Sequence, residues 1–235
     1  MMHPHGLRSA ATAATSGFVT TGLVLNLDAG NAASYPGSGT TWYDISGNGR
    51  NFTWPSAPSF TSNGLSSYFS TLGKGTCLGP ASNSFGINNT SGYTIFVICN
   101  ELALSGTTAF NFSGAVSYSR GIYSHLTYYG TVYLDQGGCC GVDTRTSVGS
   151  GGSNSWNIWV FRRLANSSER SIIKNTTTLT TNTATAANIN LDANQVTLSD
   201  NGWDVQLNSF IVYNRGLSNA EILQNFNALR GRYGL

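Results

Sequence analysis

Apolar and polar positions alternate along most of this chain in short stretches, each closed off by Gly, Asn, Pro or Ser. A period of two predicts β-strands. Leu23–Asp28 (LVLNLD) is the first. Tyr93–Asn100 (YTIFVICN) is apolar at both parities, which predicts a central strand covered on both faces. In Ser155–Leu164 (SWNIWVFRRL), Trp156, Ile158 and Val160 share one face, and Trp159 and Phe161 share the other. Val205–Tyr213 reads as the last strand. Shorter strands are expected at Phe52–Trp54, Ser67–Ser70, Ala109–Phe112, Ala115–Ser117, Ser171–Lys174, Thr176–Leu179 and Asn194–Ser199. Gly121–Tyr129 and Thr131–Asp135 predict a hairpin about Gly130, and Gly137–Gly152 reads as loop. Many short strands separated by turn residues predict a two-sheet antiparallel sandwich or jelly roll.

One segment breaks the pattern. In Leu217–Leu235 (LSNAEILQNFNALRGRYGL), Ile222, Phe226, Leu229 and Tyr233 recur at helical spacing. Ser218 and Glu221 form an S-x-x-E capping box, and Gly231 and Gly234 are stop signals. A single amphipathic helix in an all-β chain must dock on a sheet.

Composition narrows the function classes. Of 235 residues only 9% are charged, against roughly 25% in ordinary globular proteins. Ser, Thr, Asn and Gly supply the polarity instead. A net charge of +2 gives no basis for a nucleic-acid partner, and no apolar run is long enough to span a membrane. No stretch has the apolar core of a signal peptide, so synthesis in a host cytoplasm with reduced thiols is expected. The four cysteines lack metal-ligand spacing. Cys139 and Cys140 are expected as two thiols, with a vicinal disulfide the alternative, and a Cys77–Cys99 bridge is a further option. Residues 1–21 are rich in Ala, Thr and Ser and read as an extended N-terminal arm, with the domain at 22–235.

The segments LVLNLDAGN (Leu23–Asn31) and TWYDISGNG (Thr41–Gly49), with IVYNRGLSNAEILQNF (Ile211–Phe226) at the other end, carry a resemblance. Together they resemble the opening and closing of laminin-G-like domains of the concanavalin A-like jelly-roll superfamily, in the form found in phage and other viral structural proteins. The resemblance covers about Gly22–Leu235. It implies the jelly-roll fold, while function stays open because the fold hosts lectins, glycanases and structural modules. The stretch Gly202–Leu207 departs from the Gly-rich approach that the family often has.

Chemistry is sparse. Asp28 and Asp44, in the matched motifs, suit either turn caps or a calcium site, and capping is the expected role. Asp200-Asn201 with Asp204 carries the same choice. Glycan hydrolysis usually needs two carboxyl groups astride one bond. Glu101, Glu169 and Glu221 are far apart in sequence, and Glu221 is taken by the helix cap. His125 has no nucleophile arranged beside it. The hairpin carries more. Alternation turns Ile122, Leu126, Val132 and Leu134 inward and puts Tyr123, His125, Tyr129, Thr131, Tyr133 and Asp135 on one outer face. Such a face suits stacking on sugar rings or a protein interface.

These readings give three expectations. The first is a non-enzymatic virion structural protein, a capsid decoration or fibre-type component. Its arm attaches to other virion proteins, and its sandwich self-associates or cements neighbours. The second is an adhesin binding host-surface glycan through the hairpin face. The third, a glycan-degrading enzyme, would need Asp135 or Glu101. No cofactor is required by any of these, apart from the calcium alternative.

Overall fold

The computed structural model describes residues 17–102, 108–114, 120–149, 154–185, 188–200 and 203–235. It is a two-sheet antiparallel sandwich with one C-terminal helix, as expected. The strands are β1 (Leu23–Asp28), β2 (Thr41–Trp42), β3 (Phe52–Thr53), β4 (Ser59–Thr61), β5 (Tyr68–Ser70), β6 (Cys77–Ala81), β7 (Tyr93–Glu101) and β8 (Thr108–Ser113). They continue with β9 (Arg120–Tyr128), β10 (Thr131–Gln136), β11 (Arg145–Gly149), β12 (Trp156–Arg163), β13 (Arg170–Lys174), β14 (Thr177–Asn182), β15 (Gln195–Asp200) and β16 (Val205–Tyr213). The helix α1 is Asn219–Leu229.

One sheet runs β14-β13-β12-β7-β16-β5-β4, with β1 also on β16. The other runs β11-β10-β9-β8-β15-β6-β3-β2. Strand β7 is central and buried at every position except the half-buried Asn100, as its double apolar parity requires. The stretch read as loop from Gly137 to Gly152 contains β11, a polar edge strand (RTSVG) whose sequence lacks the apolar alternation that marks the others. Ala115–Ser117 lies outside the described residues. Between the sheets, Phe69, Phe110, Phe161 and Phe210 pack with Trp42, Trp54, Trp159 and Trp203 in the main core.

A second apolar cluster lies on the outer side of the first sheet. There Ile158 and Val160 of β12 and Phe96 and Ile98 of β7 meet Ile222 and Leu229 of α1. The helix begins as its sequence dictates. Ser218 Oγ accepts from Glu221 N and the Glu221 carboxylate accepts from Ser218 N, closing the capping box. Gly231 falls inside a 3-10 turn, Arg230–Arg232, rather than ending the helix. Residues 17–21, expected as the end of the arm, are described, and Gly17, Phe18 and Val19 sit on this layer. Val19 N donates to Asn225 Oδ1 (2.9 Å), and Tyr213 Oη donates to Val19 O (2.7 Å). The rest of the expected arm, residues 1–16, lies outside the described residues. Among those described, no helix is long and apolar enough to cross a membrane.

Candidate functional site

The expected hairpin forms, and its inward set is right. Ile122, Leu126, Val132 and Leu134 are all fully buried in the main core. The opposite face of β9 and β10 carries a ring cluster. His125 sits 4.8 Å from Tyr123, 4.8 Å from Tyr128 and 5.9 Å from Tyr133, centroid to centroid. Tyr128 in turn touches Tyr129 at 4.9 Å.

The geometry corrects the sequence reading in two respects. First, register shifts between Thr131↔Tyr128 and Tyr133↔His125, so Leu126 and Thr127 stand opposite Val132 alone. This bulge reverses the parity after His125. Tyr128 therefore joins the face, while Tyr129 enters the turn with φ of 47°. Both are exposed, Tyr128 by 40% and Tyr129 by 74%. Second, Tyr123, His125 and Asp135 are buried rather than open. The Arg120 guanidinium lies 4.0 Å over the Tyr123 ring, and Tyr123 Oη bonds Thr108 Oγ1. Three tyrosines surround His125.

Asp135 is fully buried because two arginines close over it. Arg145 grips it with both forks, Nε to Oδ1 at 2.6 Å and Nη2 to Oδ2 at 2.7 Å. Arg120 Nη1 reaches Oδ2 at 2.5 Å. The hydrogen bond to Asp135 raises the Arg145 pKa above its ordinary value. Arg145 also lies 4.4 Å over Tyr133. Next to this group, Cys139 and Cys140 are joined in a vicinal disulfide, against the expectation of two thiols, and Cys139 Sγ is 3.1 Å from Arg120 Nη1. Cys77 and Cys99 are free and buried. The outer row Arg145–Asp135–Tyr123–Asn111–Thr197–Leu78–Thr53 continues in register across the sheet. At its far end is an open cleft lined by Thr53, Trp54, Leu78 and Gln195.

The remaining carboxylates have structural partners. Asp44 Oδ1 accepts from Asn26 N and Ser46 N, both at 2.9 Å, and Oδ2 accepts from Arg50 N at 3.0 Å. Asp28 Oδ1 accepts from Gly30 N, and its Oδ2 takes Arg232 Nη1 at 2.6 Å. An arginine thus stands beside Asp28 where a cation would bind, and the oxygens of Asp44 already face amide donors. These two do not fit a calcium site. Among the described residues no three His, Cys, Asp or Glu side chains converge. Asn201 and the Asp200 side chain lie outside the described residues, and the reading of Asp200-Asn201 with Asp204 lies outside them too. Glu101 is buried and accepts from Trp159 Nε1. Glu169 pairs with Arg162 at 3.6 Å, and Glu221 pairs with Arg215 at 2.6 Å.

No family model matches the chain, and no curated protein matches it. Solved structures do. The binding domain of Paraclostridial Mosquitocidal Protein 1 is similar at a TM-score of 0.65 and 13% identity, over 89% of this chain and 52% of that one. A Trypanosoma rangeli sialidase gives 0.62 and 14%, over 92% of this chain and 34% of the other. The botulinum neurotoxin serotype D/C binding domain gives 0.63 and 12%, over 89% and 53%. This chain therefore spans about half of each toxin domain structure and about a third of the sialidase. At such identities the likeness concerns the fold alone, a two-sheet β sandwich.

Proposed function

We propose that this chain is a non-catalytic glycan-binding module whose recognition surface is the outer face of β9, β10 and β11. One observation carries the reading. Tyr128, Tyr129 and Tyr133 form a contiguous aromatic edge beside a fixed arginine–aspartate group. Aromatic faces stack on the apolar faces of sugar rings, and rigid charged forks take their hydroxyls. The exposure of Tyr128 and Tyr129 is not needed for the core, which closes beneath them. The likeness to toxin binding domains and to a sialidase is in keeping with this reading. That Asp135, Glu101, Glu169 and Glu221 all have structural partners supports a non-catalytic role. A virion location, with attachment through residues 1–16 to other virion proteins, is the second part of the proposal and rests on the Leu23–Asn31 and Ile211–Phe226 resemblance. Co-purification with particles tests it.

The test of the main reading is retention on a glycan array of the wild-type chain and of a Tyr128→Ala/Tyr129→Asn variant. Retention that the variant loses supports it. Failure of the folded wild-type chain to retain any glycan overturns it.

A further inference from the structure

The Asp135 group has an unused side. Arg145 commits Nε and Nη2 to Asp135, and among the described residues nothing bonds its Nη1. Its side chain is 23% exposed. One carboxylate, moreover, is shared by two guanidiniums, Arg120 and Arg145. Asp143, the nearest other acid in sequence, interacts electrostatically with Arg170, whose Nη1 also donates to the Asp143 backbone carbonyl.

Arg145 also lines a polar groove of about 380 Å³ where the edges of the two sheets meet, between β11 and β14. Ser147, Thr181 and Thr183 line it as well, and all three are exposed. Ser147 is directly opposite Tyr133, so the groove and the aromatic face meet at Arg145. Asn182 holds the two edges together, donating from Nδ2 to the Arg145 carbonyl at 2.8 Å. The guanidinium is thus held by Asp135 and lies over Tyr133, while Arg145 lines the groove together with Ser147, Thr181 and Thr183.

We propose that Arg145 Nη1 and this groove form a subsite for an anionic substituent, so that the glycan taken by the aromatic face is an acidic one. A carboxylate or sulfate ester would accept from Nη1, and neighbouring sugar hydroxyls would bond Ser147, Thr181 and Thr183. A fixed guanidinium is suited to such a group because its donors are preorganised. This inference rests on the glycan reading above, and its test separates the two.

Affinity is measured for three oligosaccharides of equal length, one neutral, one bearing uronic acids and one sulfated, at low and at high salt. The acidic ligands are expected to bind roughly tenfold or more tightly than the neutral one at low salt, with the gap closing as salt rises. The two acidic arms show which anion is preferred. Arg145→Gln is expected to erase the gap, and Arg145→Lys to restore part of it. Because Arg145 also packs over Asp135, Thr181→Val/Thr183→Val serves as a second probe and is expected to narrow the gap. Equal binding of neutral and acidic ligands by the wild-type chain overturns the subsite and leaves the aromatic face intact. Absence of binding to all three overturns the subsite, and the glycan array then decides the aromatic face separately.

Discussion

Replacing Asp135 with Asn removes one charge and almost no volume. The side chain is fully buried and receives three charge-assisted hydrogen bonds, at 2.5, 2.6 and 2.7 Å. Breaking a buried pair by removing one partner costs about 3–5 kcal/mol, because the other charge stays behind without compensation. Two guanidiniums remain here, which raises the cost. Both are partly exposed, at 16% and 23%, so water recovers some of it. The Asn carbonyl can still accept from one fork, but its amide faces the other donors. The balance falls near the lower end, about 3 kcal/mol. Urea denaturation of wild type and variant, compared at equal slope, reads this directly. A double-mutant cycle with Arg145→Gln should show strong coupling, with the pair of changes costing less than their sum. A loss below about 1 kcal/mol would show that Asp135 does not hold the two arginines in this way. It would mean that Asp135 is held for another purpose, chemistry included.

Three further outcomes are expected. The Arg215 hydrogen bonds lower the Glu221 pKa from 4.5 to about 2, so the stabilisation from this carboxylate is complete above pH 4.5 and is lost as pH falls toward 2; Glu221→Gln should cost about 1 kcal/mol at neutral pH and flatten the acid limb of the stability curve. Alkylation of the denatured, unreduced chain should label two cysteines, Cys77 and Cys99, and all four only after reduction, with four labels at once excluding the Cys139–Cys140 bond. Tyr129→Asn should leave stability unchanged or raise it by up to about 1 kcal/mol, since Asn tolerates a φ of 47° better than Tyr does, while glycan binding falls; a loss above 1 kcal/mol would assign Tyr129 to packing instead.

How far the sequence reached depended on whether a signal was local. The capping box at Ser218 and Glu221, the turn caps at Asp28 and Asp44 and the two faces of β12 are each written within a few residues, and each appears as read. The hairpin was legible to the same extent: alternation gave its inward set without error. It failed at Tyr128 and Tyr129 because a period-two pattern has no mark for one extra residue at a bulge. The burial of Asp135 was out of reach for another reason. Its partners are Arg120 and Arg145, fifteen and ten residues away on two other strands, and nothing in the alternation brings them together. Strand β11, which carries Arg145, is polar and read as loop. The pairing of Gly17 and Val19 with α1 joins the two ends of the described chain and has no local signature.

The proposed sugar-binding edge consists of Tyr128, Tyr129 and Tyr133. Isothermal titration of an array-selected oligosaccharide into the wild-type chain and into Tyr128→Ala/Tyr129→Asn tests it most directly. Base-stacking aromatic contacts lose about 1–3 kcal/mol on truncation, and sugar stacking is expected to follow at the lower end, near tenfold in affinity. That loss is expected with the thermal midpoint almost unchanged. Equal affinity in both proteins would contradict it.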